Sequence, residues 1–339
     1  MRDARPALPV TNRDLRRTSV CAEVSRFLAM ADLPGPFVAM LHEALNAPGK
    51  RRGAPVGSVW PDIVLLCCGA ASGGAGKMTV PAAAEFFALA LDLLNETEDD
   101  DTSPLRDRHG TAMALTCVTA LRGLACQALG PTEQPRSADT CSGASGAAIL
   151  AQALVTATGG QRLGLPSGCS PALDQEGRQD SMACTSGALV GGCCALWATL
   201  GGASAPTVAL STACGRHEGI AAQRDNDMRD LWEAVVQGAQ AGASDLRWDK
   251  QTAPVAFRRD TLGAWGRQDQ PALERELWET GAVPDAGAVV QVHRAEALSL
   301  LERITQTAPV PGFPLALPRH VTDTMRDQDQ PPPDPGSAP

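Results

Sequence analysis

Two runs of oxygen donors are the residues best suited to chemistry. The first follows the apolar stretch 82–94 and comprises Asn95, Glu96, Glu98, Asp99, Asp100 and Asp101. The second lies in A-A-Q-R-D-N-D-M-R-D, where Gln223, Asp227 and Asp230 recur at spacings of four and three with Asn226 alongside, so on a helix they share one face. Carboxylate and amide oxygens one turn apart suit a hard cation such as Mg²⁺, which keeps part of its water and takes its other ligands from substrate phosphates. A solvated acidic stripe is the plainer account of either run alone. The first run also sets acids at a helix C-terminus, against the helix dipole, a conflict relieved by a bound cation or by a frayed end.

Basic residues flank these runs. Lys50, Arg51 and Arg52 follow a Pro-Gly turn, Arg106 and Arg108 follow the first acid cluster, and Lys250 follows the second. Lys and Arg side chains brought opposite metal-holding carboxylates make a site for a diphosphate, whose charge neither partner balances alone. G-G-A-G-K-M-T at 73–79 imitates a phosphate-binding loop, but Ala71 and Met78 stand where that loop needs Gly and Ser or Thr.

In order along the chain, these segments resemble the motifs of the trans-isoprenyl diphosphate synthases. D-L-L-N-E-T-E-D is similar to their first aspartate-rich motif, and Q-R-D-N-D-M-R-D to the second, a glutamine followed by D-D-x-x-D. P-G-K-R-R-G at 48–53 resembles the early G-G-K-x-x-R loop, S-G-A-L at 186–189 the end of K-T-G-x-L, and the segment from Lys250 to Pro254 the late K-x-T-x-P. The resemblance covers about residues 33–304.

It implies an all-α bundle around an apolar pocket, a homodimer, and Mg²⁺ held by Asn95, Glu96, Asp99, Asn226, Asp227 and Asp230, with Asp99, Asp227 and Asp230 the candidate catalytic carboxylates. It also implies Lys50, Arg51, Arg106, Arg108, Gln223 and Lys250 on the substrate diphosphate. An allylic prenyl diphosphate would ionise there, and isopentenyl diphosphate would attack the cation. Phe87, Ala90 and Leu91, one and two turns before Asn95, would form the pocket floor.

The match is incomplete. Asn95 and Asn226 replace leading aspartates, Thr185 stands for the lysine of K-T-G-x-L, Ala88 for a histidine, and Gly53 for the last arginine of the early loop. Three readings therefore stay open: a divergent prenyltransferase, a terpene synthase that uses the allylic diphosphate alone, and a non-catalytic partner of a synthase. Asn226 with Asp230 one turn on favours the second, while Ala234, where terpene cyclases carry a glutamate, opposes it.

The elements that must position these residues read as helices. Tyrosine is absent and aromatics make up 4% of 339 residues, so strand signals are few. Ala- and Leu-rich stretches predict helices over 20–31, 36–45, 63–70, 82–94, 110–128, 146–158, 179–200, 211–241, 271–280 and 285–306. The resulting division is an extension at 1–17, a helical domain at 18–322 and an unstructured Pro-rich tail at 323–339. A net charge of −9 argues against nucleic acid as partner. The 183–202 stretch is too rich in Gly, Ser and Thr for stable membrane insertion. The eleven scattered cysteines read as reduced thiols of a cytoplasmic protein. His217 has no partner legible in the sequence.

Overall fold

The computed structural model describes residues 12–47, 79–98, 103–130, 146–164, 174–200, 203–237, 252–262 and 276–307. Among them there is no strand, as the absence of tyrosine and the 4% aromatic content predict. Several expectations fall outside the described residues: the helix at 63–70, the loop carrying Lys50 and Arg51, the residues Asp99 and Lys250, and the tail. The helices group into two compact units.

The first unit holds α1 (Asn12–Met30), α2 (Gly35–Asn46), α3 (Thr79–Glu98), α4 (Pro104–His109) and α5 (Thr111–Leu129). α3 is its core. Every residue from Val80 to Phe87 is buried, and all but Glu85 are uncharged, so the helix is covered on all sides. α5 packs along it, α1 lies against it, and the Phe27 ring meets Phe86 edge-on with centroids 6.4 Å apart. Pro34 and Pro104 sit just before α2 and at the start of α4, where a missing N–H costs nothing. Gly110, at φ +84°, makes the turn from α4 into α5, a conformation that a side chain would strain.

The second unit holds α6 (Gly146–Gly164), α7 (Gln175–Cys184), α8 (Ser186–Leu200), α9 (Ala205–Gln237), α10 (Ala253–Leu262) and α11 (Ala282–Thr307). α9 spans 33 residues, about 50 Å at 1.5 Å per residue, and α8, α11, α7 and α10 all pack on it. The predicted 179–200 helix is divided: Thr185, at φ −85° and ψ −97°, ends α7, and α8 starts at the next residue. Asp174 starts α7 by accepting the Gly177 N–H at 2.8 Å. α10 is held to the helical residues 276–279, the described part of the helix expected over 271–280, by Arg258, whose Nε and Nη2 donate to Glu276 Oε2 at 2.9 and 2.6 Å.

Two helical stretches, Thr111–Leu129 and 176–200, are long and apolar enough to cross a membrane by length and composition alone. In the fold, α8 is covered by α6, α7 and α9, and its residues from Val190 to Ala198 are mostly buried.

Candidate functional site

The glycines of α8 and α9 bring the backbones of these helices together. A Cβ on Gly219 would fall on the Ser186 carbonyl oxygen and lie 2.9 Å from Gly187 Cα; one on Gly215 would lie 2.6 Å from Cys194 Sγ. This close approach sets Ser186 beside the second acidic segment. Its Oγ donates to Gln223 Oε1 at 2.9 Å, and Gln223 Nε2 donates to Asp227 Oδ1 at 3.0 Å. With its oxygen held by a hydroxyl, the Gln223 amide must turn its NH₂ toward Asp227.

The shared face predicted for Gln223 and Asp227 is therefore a direct contact. Asp227 is buried and Asn226, one residue earlier, is exposed. Asp230 lies on the same helix, its side chain outside the described ones.

Charge around this segment is concentrated in the interior. Arg224 is 1% exposed and donates Nη2 to Gln179 Oε1 of α7 at 3.4 Å. Burial lowers its pKa, and the charges of Asp227 and Asp285 oppose the fall. Arg294 of α11 reaches Asp225 at 3.5 Å. Glu218 is 5% exposed, its Oε2 has no hydrogen-bond partner among the described residues, and burial pushes its pKa up to about 7 against the pull of Arg294.

His217 does have a partner. Its Nδ1 lies 2.8 Å from Nδ1 of His293, so one ring donates and the other accepts, and the acceptor is neutral. Burial, then His217 and Arg224, hold His293 below the usual histidine range.

The first acidic segment ends α3 in the other unit. Along one face, Asn95 is exposed, Leu91 half-buried and Phe87 4% exposed, with Ala90 fully buried beside them. Arg106 is mostly buried and donates Nη1 to the Glu96 carbonyl oxygen at 3.1 Å. The cation that the dipole argument asks for at this helix end is thus supplied from within the chain. Arg108 instead donates to Glu43 of α2 at 3.0 Å, and with His109 beside it holds the Glu43 carboxyl below the usual carboxylate range.

Sequence reasoning missed Ser186, Arg224 and Glu218 as parts of this region. Ser186 was visible only as the first residue of S-G-A-L. A buried Arg and a buried Glu break the rule that places charges outside, and α9's pattern gives no sign of them.

Gln223, Asn226, Asp227 and Asp230 offer amide and carboxylate oxygens, the chemistry of a hard cation rather than of zinc or copper. Among the described residues no three His, Cys, Asp or Glu side chains converge on one point. A cation here would share its shell with amide oxygen, water and substrate, as Mg²⁺ does.

The class this architecture defines is the all-α isoprenoid-synthase type: the chain has the fold of the trans-isoprenyl diphosphate synthases. Among solved structures it is similar to a decaprenyl diphosphate synthase from Rhodobacter capsulatus, with a TM-score of 0.75 at 16% identity over 92% of this chain and 96% of that one. It is also similar to a geranylgeranyl pyrophosphate synthetase from Geoglobus acetivorans, with a TM-score of 0.70 at 18% identity over 90% and 95%. A third is a polyprenyl synthase from Caulobacter crescentus, complexed with calcium and isoprenyl diphosphate, with a TM-score of 0.69 at 18% identity over 94% and 98%. No protein-family model matches the sequence, and no curated protein does.

Proposed function

We propose that the chain is a cytoplasmic class I isoprenoid enzyme that ionises an allylic prenyl diphosphate with Mg²⁺ and couples the cation to isopentenyl diphosphate. The carrying observation is the relay from Ser186 through Gln223 to Asp227, which orients a glutamine and a carboxylate together on α9. On the resemblance, the Mg²⁺ ligands would be Asn226, Asp227 and Asp230 from the second acidic motif and Asn95, Glu96 and Asp99 from the first. The metal would draw off the developing negative charge of the leaving diphosphate. Lys50, Arg51, Arg106, Arg108 and Lys250 would add charge against the diphosphate.

One observation favours a terpene synthase as the second reading. Thr185, aligned with a lysine in the resemblance, turns its hydroxyl back onto the Ser181 carbonyl at 2.9 Å, so this position offers no cation to a second diphosphate. The test is Mg²⁺-dependent diphosphate release from an allylic substrate, alone and then with isopentenyl diphosphate. Release and chain extension only with both supports prenyl transfer; release with the allylic substrate alone supports the second reading; no release supports a non-catalytic partner. In an active preparation, Asp227→Asn should raise the Mg²⁺ concentration for half-maximal release about tenfold, since one anionic ligand becomes neutral. An unchanged Mg²⁺ requirement would remove Asp227 from the metal site.

Phe87 remains the proposed floor, two turns below Asn95 and buried. Phe87→Ala should lengthen the products, read by chromatography of the dephosphorylated alcohols, and unchanged length removes the assignment. The chain is also proposed to be a homodimer. Sedimentation velocity should give a mass near twice the chain's, and a monomer at micromolar concentration would contradict it.

A further inference from the structure

Arg224 is the largest fully buried side chain among the described residues. An arginine with 1% exposure is always charged and needs compensating anions, or its burial costs several kcal/mol. Four groups surround it electrostatically or by hydrogen bond: Asp227 on its own helix, Gln179 on α7, and Asp285 and His293 on α11. α8, which packs on the same helix, carries no charged residue. Gln179 contributes only a dipole. The counter-charge therefore comes from Asp227 and Asp285.

Asp227 stands three residues after Arg224, so the two are neighbours on the helix surface. Both are buried, at 7% and 1% exposure, where the attraction between opposite charges is weakly screened. We propose that Arg224 is a resident counter-cation of Asp227, and that it sets a low Mg²⁺ affinity for the acidic segment of α9. This rests on the metal-dependent reading above and deepens it. A divalent ion that takes Asp227 as a ligand arrives near a fixed positive charge and is repelled by it. The amide of Asn226 acts in the same direction, since it offers a neutral oxygen where a carboxylate would bind more strongly. The chain thus has less negative charge for the metal and a positive charge already beside Asp227.

The experiment is calorimetric titration of Mg²⁺ into the full chain, without substrate, for wild type, Arg224→Met, Asp227→Asn and the double variant. Arg224→Met should bind Mg²⁺ at least about tenfold more tightly, because a unit charge at this range in a partly desolvated site is worth that factor or more. The gain should vanish when Asp227 is Asn. Unchanged affinity in a folded Arg224→Met protein overturns the proposal, and so does a gain that persists without the Asp227 carboxylate. Should Arg224→Met not fold, Arg224→Gln keeps a polar head for Gln179, loses the charge, and carries the same expectation. Arg224→Lys, which retains the charge, should stay within about twofold of wild type, and a tenfold gain there also overturns the proposal. Turnover is read separately: absence of diphosphate release at saturating Mg²⁺ removes the enzymatic reading, while the titration still decides the role of Arg224.

Discussion

Gly219→Ala should destabilise the second unit by about 3 kcal/mol, at the upper end of what overpacking a buried contact costs. The added methyl group would meet the Ser186 carbonyl oxygen, lie 2.7 Å from the Ser186 carbonyl carbon and 2.9 Å from Gly187 Cα. All three are backbone atoms of a regular helix, so no side chain can rotate away and α8 must shift from α9. Gly123, on an exposed face of α5, is the control: a Cβ there meets nothing within 4 Å. Gly123→Ala should be neutral or stabilise by up to about 1 kcal/mol through helix propensity. Urea unfolding of the two variants reads the contrast, and equal midpoints would mean that α8 and α9 do not approach through Gly219. The substitution also bears on the site. Gly219 lies one turn before Gln223, so moving α8 away stretches the Ser186–Gln223 bond and frees the amide to turn from Asp227.

This contact shows where the sequence was legible and where it was not. The shared face of Gln223 and Asp227 follows from a spacing of four, and the structure joins them at 3.0 Å. The apolar stretch 82–94 likewise predicted a helix with acids at its end, and the end is where Glu96 meets Arg106. Periodicity, however, reports on one helix at a time. Ser186 and Gln223 are 37 residues apart and His217 and His293 are 76 apart, and only the packing of α8 and α11 on α9 pairs them. The break at Thr185 escaped because 179–200 has no Pro and its flanking glycine reads equally well as a helix–helix contact, the use Gly187 serves. α4 and α10 have six and ten residues, too short for their patterns to stand out from the loops around them.

Glu218→Gln should stabilise the protein at pH 8 and should do so less as the solution is acidified. Glu218 lies in the seam between α9 and α11. Burial raises its pKa from 4.5 to about 7, Arg294 opposing the rise. A carboxyl whose folded pKa lies above its unfolded value binds its proton more tightly when folded. Its favourable contribution is complete below about pH 4.5 and is lost as pH rises toward 7; above that, the folded protein carries a buried carboxylate with an oxygen that lacks a hydrogen bond. A displacement of this size corresponds to about 3 kcal/mol, which Glu218→Gln should return at pH 8 and progressively less between pH 7 and 4.5. Arg294 retains Asp225 as a partner in the variant, so its own charge is not stranded. His293 must be kept apart in the measurement. Its pKa is lowered, so its contribution is lost as pH falls below the usual histidine range, in both proteins alike. The difference between wild type and variant at each pH therefore isolates Glu218. A difference that does not change with pH, or a variant less stable at pH 8, would show that the Glu218 carboxylate is compensated in the folded protein.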